Sequence, residues 1–227
     1  MGGLWVDYDQ MTEIPGLFAA GECDFSQHGA NRLGANSLLS AIYGGSVAGP
    51  NAVKYIKGLK KHAEDLPETF FTSREEEEKA KWEAIMKMDG TENAYLLHKE
   101  LGEWMTDNMT VVRYNDKLEE TYKKLTELQE RWEKININDT QKWSNQGAHF
   151  TRQLKNMLYL AKVMTKGALL RNESRGAHYK PDFPERDDEN FLKTTMAKFD
   201  PATGEPIITY QDVDVSLIPP RKRDYSA

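Results

Sequence analysis

Apolar side chains recur at Tyr114, Leu118, Tyr122, Leu125, Leu128, Trp132 and Ile135, at spacings of three and four that set all seven on one face of a helix. Phe150, Leu154, Met157, Leu158, Ala161, Met164 and Ala168 repeat the pattern, and a shorter set (Ala94, Leu97, Leu101, Trp104, Met105) precedes both. Three amphipathic helices with brief connections predict an antiparallel bundle within residues 63–171. The run REEEEKAK at 74–81 reads as a solvated helix face. Residues 1–62 are patterned differently. Two short apolar runs, 4–6 and 17–20, are bounded by Gly, Asp and Pro and read as buried strands. A helix is expected from Asn36, capped by Asn36 or Ser37 and interrupted or kinked at Pro50. Residues 172–227 hold six of the nine prolines and read as an irregular C-terminal tail, with one candidate strand at 207–210. The expected fold class is mixed α and β: a partial α/β segment, a helical bundle domain and a tail.

Composition narrows the function classes. The 227 residues carry a formal charge of −6, and basic residues alternate with acidic ones, so no basic stripe offers a nucleic-acid footprint. Cys23 is the single cysteine, which rules out an intrachain disulfide or a cysteine-built metal cluster and suits a reducing compartment. The sequence shows no signal peptide and no apolar stretch long enough to cross a bilayer, so direct membrane insertion is not expected. The chain passes from Met1-Gly2-Gly3 straight into an apolar run, as though it began inside a domain.

The candidate chemistry lies between Thr12 and Gly45. The apolar run at 17–20 ends in Gly21-Glu22, where a carboxylate can accept hydrogen bonds from a diol, or simply face water as a strand-end acid. Gly29, Ala30, Gly34 and Ala35 surround Arg32 just before the helix. The backbone N–H groups of Ser37 and Leu38 would stand at the positive end of that helix's dipole, and Arg32 adds a charge suited to a bidentate carboxylate. A tight loop with a surface arginine is the plainer alternative. His28 is a candidate for bonding substrate or cofactor, or for a structural place in the loop. Cys23 reads as a small packed residue.

These residues carry a resemblance. The GLFAAGE run resembles the second flavin-binding motif of FAD-dependent oxidoreductases, and HGANRLGANSLL at 28–39 closely resembles the signature of succinate dehydrogenase and fumarate reductase flavoproteins. ESRGAH at 173–178 and DFPERDDEN at 182–190 look like C-terminal motifs of that family, in the form found in Bacillus-like bacteria. The resemblance implies that residues 1–62 are the C-terminal segment of an FAD-binding domain. It also implies that Glu22 binds the ribityl hydroxyls of FAD and that Ser37 and Leu38 meet the flavin ring by their backbones. Arg32, with His28, would hold succinate or fumarate. Arg175 and His178 would help close the active site or pin the tail to the flavin domain. It further implies electron transfer to an iron–sulfur subunit and quinone, with a membrane anchor subunit holding the complex peripherally on the cytoplasmic inner face of the cell membrane.

Several family features have no match in the chain: the Gly-rich dinucleotide fingerprint, the histidine that tethers FAD, and the capping domain with its proton-transferring arginine. No catalytic proton-transfer residue and no metal ligand are therefore assigned, and the polypeptide by itself is expected to be inactive. An L-aspartate oxidase-like flavoenzyme and a non-catalytic helical interaction module are the competing readings.

Overall fold

The computed structural model describes residues 2–25 and 28–221 and divides into two compact units, Met1–Trp82 and Glu83–Ala227. In the first unit, the two expected strands are only isolated bridges. Leu4 pairs with Asp24 in parallel, and Met11 with Phe18 antiparallel. Among the described residues neither run has a second neighbour, and a lone pairing does not sustain a sheet. Val6 and Ala19 are nevertheless buried, while Leu4 and Leu17 are exposed.

Helix α1 spans Asn36–Gly58 and departs from expectation at its start. Its N-cap is Ala35, at φ 64°, with no side-chain cap, so neither Asn36 nor Ser37 serves. The chain enters the helix through a left-handed turn closed by the Asn36 N–H on the Leu33 carbonyl at 3.3 Å. The helix also runs on past Pro50. The carbonyl that Pro50 cannot serve belongs to Ser46, and both residues are exposed, so water can take it. A 3-10 turn, Gly21–Cys23, packs against α1. Two glycines permit the approach: a Cβ on Gly44 would stand 3.1 Å from the Ala20 Cβ, and one on Gly21 (φ 80°) 3.3 Å from the Ala41 Cβ. Helix α2, Glu68–Met86, buries only Ile85, and its charged run lies in solvent with Arg74–Glu77, Lys79–Glu75 and Lys81–Glu78 pairs.

The second unit is the expected bundle, built from α3 (Ala94–Met109), α4 (Asn115–Trp132) and α5 (Gln146–Leu170). Cross-helix contacts give the directions. Arg131 meets Glu92, Lys124 meets Glu100, and Leu118 packs with Met109, so α3 and α4 are antiparallel. Trp132 donates to the Thr151 carbonyl at 2.8 Å, while Leu118 packs with Ala168, so α4 and α5 are antiparallel as well. Leu97, Leu118, Leu125, Leu128, Ile135 and Leu154 are fully buried, and withdrawing their apolar area from water drives the packing.

The buried stripe of α5 differs from the apolar count. Met164 is 54% exposed, and Thr151, Lys162 and Thr165 lie inside instead. Thr151 satisfies its hydroxyl on the Gly147 carbonyl at 2.9 Å. Residues 193–212, expected to be irregular apart from one strand, form an antiparallel hairpin of β1 (Lys193–Phe199) and β2 (Pro206–Asp212), with Thr195 opposite Tyr210. A short helix, α6 (Asp188–Phe191), precedes it. The turn is set by Asp200, which accepts from the Ala202 N–H and the Thr203 hydroxyl, and by Gly204 at φ 70°. The hairpin lies on α5 through Phe199 against Tyr159, the Lys166 ammonium on the Pro206 carbonyl, and Glu205, which accepts from Lys162 (2.6 Å) and from the Tyr122 hydroxyl.

Candidate functional site

The Arg32 loop and the start of α1 lie together. The Arg32 guanidinium donates to the Leu33 carbonyl at 3.5 Å, and the Asn36 N–H donates to the same oxygen. One carbonyl therefore joins the cation to the first residue of the helix. Residues 29–35 are exposed, as are Ser37 and Leu38. With no side-chain cap, the leading N–H groups of α1 are open to an external acceptor. His28 turns toward the helix: its Nε2 lies 3.2 Å from the Ser40 hydroxyl, which itself donates to the Ser37 carbonyl at 2.9 Å. Ser40 is buried, and no sequence signal singled it out beyond its place one turn after Ser37.

Glu22 lies exposed on the 3-10 turn. Its neighbour Gly21 reaches Ala41, one turn into α1 from Ser37 and Leu38. Cys23 is exposed rather than packed, with its thiol on the Ala20 carbonyl. An open carboxylate beside an uncapped helix start, with open space over Gly29 and Gly34, fits a large cofactor bearing hydroxyls and an acceptor edge. Among the described residues no cluster of His, Cys, Asp and Glu is arranged to hold a metal ion, and no helix is long and apolar enough to cross a membrane.

The second motif region forms a polar clasp. Glu173 is fully buried and accepts from Arg171, from Arg175 and from the Asp187 N–H, each at 2.9 Å. Arg175 continues to Asp188 at 2.7 Å, and Arg186 meets the other oxygen of that carboxylate. Arg171 also donates to Thr195 and to the Phe191 and Lys193 carbonyls, fastening the hairpin. His178 bridges the Arg113 guanidinium (2.6 Å) and the Arg171 carbonyl (2.9 Å). The partners described for Arg175 and His178 belong to the second unit, so these side chains hold that unit's own connection in place.

Lys180, 1% exposed, gives its three protons to Asn115, Asn172 and the Leu169 carbonyl. Burial and the Arg113 charge push its ammonium down to about 8. These roles of Arg113, Arg171 and Lys180 are not legible from local pattern, because each depends on a partner distant along the chain.

Burial pushes His178 down to about 4; the Arg171 carbonyl opposes the shift, and the charges of Arg113, Lys180 and Arg171 add to it. The folded imidazole is thus neutral where an unfolded one begins to protonate. Its contribution to stability is complete above pH 6.5 and is lost as pH falls toward 4. Acid titration of the unfolding free energy should show this loss, about 3 kcal/mol at most. A His178→Gln variant should flatten that part of the curve, and an unchanged slope would show that another group carries it.

Comparison with known proteins places these features. Residues 98–225 match the family described as fumarate reductase flavoprotein C-term, and residues 1–38 match an FAD binding domain. The chain is 71% identical over 226 residues to the succinate dehydrogenase flavoprotein subunit of Bacillus subtilis, an alignment covering all of this chain and 39% of the relative. It is 38% identical over 228 residues to the fumarate reductase flavoprotein subunit of Escherichia coli, covering 99% of this chain and 37% of that one. A solved structure of Escherichia coli quinol fumarate reductase superposes with a TM-score of 0.90 at 35% identity, over 97% of this chain and 37% of that chain. The chain therefore spans somewhat more than a third of the length of the curated relatives it matches. Family match, whole-chain identity and superposition agree: the chain belongs to the succinate dehydrogenase and fumarate reductase flavoproteins, whose cofactor is FAD.

Proposed function

We propose that this chain forms part of a flavoprotein that interconverts succinate and fumarate, contributing one substrate clamp and one wall of the flavin site. The observation that carries the reading is the meeting of Arg32 with the uncapped start of α1, where the guanidinium and the Asn36 N–H both lie on the Leu33 carbonyl. When bound, FAD supplies the two-electron acceptor for removing hydrogen from a dicarboxylate. Arg32 grips one carboxylate of the substrate through two parallel N–H donors, and His28 stands beside it in the same loop. The Ser37 and Leu38 N–H groups would hold the flavin edge that carries negative charge in the reduced state, where the helix's positive end is favourable. Glu22 would accept hydrogen bonds from the ribityl hydroxyls.

We assign proton transfer to no residue of this chain, since one arginine cannot both align a dicarboxylate and move its proton. Electrons would leave to an iron–sulfur subunit and then to quinone, and a membrane anchor subunit would hold the assembly at the inner face of the cytoplasmic membrane. Identity to the Bacillus subtilis succinate dehydrogenase subunit over the whole chain supports these assignments.

The test replaces the matching 226 residues of that Bacillus subtilis subunit with this sequence, in its native complex. Succinate should bleach the flavin absorbance anaerobically and reduce a quinone analogue, while L-aspartate should do neither. The polypeptide by itself should purify colourless and inactive. Bleaching by aspartate, or a yellow isolated chain that oxidises succinate, would overturn the proposal.

A further inference from the structure

We infer that His28 and Ser40 act as a positioning pair for Arg32, through a hydrogen bond that ties the arginine's loop to the second turn of α1. The inference rests on the assignment of Arg32 to the substrate made above. Arg32 sits in the exposed stretch 29–35, which contains two glycines with open space where a side chain would be, Gly29 at φ 55° and Gly34. Such a loop has many backbone states available, and a clamp that wanders loses affinity through the entropy of ordering. Among the described residues, the arginine head itself has only the 3.5 Å contact with the neighbouring Leu33 carbonyl, too long to fix it. The loop must therefore be held at its ends.

At the far end, Asn36 closes the turn on Leu33. At the near end, the described anchor is the His28 ring on Ser40 at 3.2 Å. Ser40 suits that task. It is 9% exposed, and its hydroxyl proton goes to the Ser37 carbonyl at 2.9 Å, so the oxygen presents a lone pair to His28. The Nε2 position of His28 is then the donor, and the imidazole is held by a residue already locked in the helix. A primary amide can reproduce that single N–H donor, which makes the role separable from anything specific to imidazole. His28 and Ser40 act on the substrate only through Arg32: they set where the guanidinium stands and leave the chemistry alone.

The test uses the same Bacillus subtilis complex carrying this sequence. His28→Ala and Ser40→Ala should each raise the KM for succinate about five- to ten-fold, the loss expected of one partly buried hydrogen bond, with kcat and bound FAD per subunit unchanged. The double variant should be no worse than either single one, because both remove the same tie. His28→Gln should bring KM back to within about two-fold of the parent. A KM unmoved by either substitution, additive losses, a fall in kcat or FAD content, or failure of glutamine to rescue would each overturn the inference. Arg32→Gln measured alongside separates the two levels. If that variant stays active, the substrate assignment itself falls; if it is dead while the Ser40 and His28 variants keep the parental KM, only the positioning role falls.

Discussion

Replacing Arg32 with glutamine, in the Bacillus subtilis complex carrying this sequence, is expected to lower kcat/KM for succinate about a thousand-fold, or ~4 kcal/mol, while FAD stays bound. The size follows from the chemistry of the loop. Arg32 is the one Lys or Arg between Met1 and Lys54, so no other cation of this segment can take over a carboxylate. Its removal leaves the N–H groups at the start of α1, which carry only partial charge. FAD should remain because the contacts proposed for it, Glu22 and the Ser37–Leu38 backbone, are untouched. Arg32→Lys should fall between the two, since an ammonium keeps the charge but lacks the planar fork. Steady-state kinetics with the flavin spectrum as a loading control decide the matter, and a loss smaller than ten-fold would remove Arg32 from the substrate site.

Glu173→Ala is expected to destabilise the second unit by about 3–5 kcal/mol, because it leaves paired charges without their partner. The carboxylate is 0% exposed and answers two guanidinium groups and one backbone N–H. Without it, Arg171 keeps Thr195 and its carbonyl contacts, but among the described residues Arg175 keeps only the Asp188 carboxylate and the Asp187 carbonyl. The melting temperature, followed by circular dichroism at neutral pH, should drop by about 10 °C. A change under about 3 °C would mean that water or a shifted side chain satisfies both arginines, and the clasp would then be incidental to the fold.

The helices were readable where burial and apolarity coincide. The spacing from Leu118 to Trp132 marks the buried face of α4, and Leu154, Leu158 and Ala161 do the same for α5. The reading failed where a polar side chain is buried by a remote partner. Lys162 lies inside, where Glu205, 43 residues away, reaches it, whereas Met164 is exposed. The hairpin was half seen. Pro206–Asp212 has the Ile-Ile-Thr-Tyr run of a strand, whereas its partner KTTMAKF has no regular alternation of polarity, and pairing alone makes it one. The entry to α1 was missed for a local reason: an alanine at positive φ gives no sequence signal, so Asn36 and Ser37 looked like the caps. Arg32, His28, Glu22, Ser37 and Leu38 were all named from motif and turn chemistry, whereas Ser40 needed coordinates.

The grip of Glu205 on Lys162 and Tyr122 also sets how far this unit can be trimmed. A cut at residue 192, just after the short helix, looks safe from the sequence because it spares every long helix. It would nonetheless remove the carboxylate that pairs with Lys162, 2% exposed in the intact unit, and that accepts from Tyr122 on α4. What looks like an appendage is thus the counter-ion of a lysine on α5, and the hairpin belongs to the bundle's own charge balance.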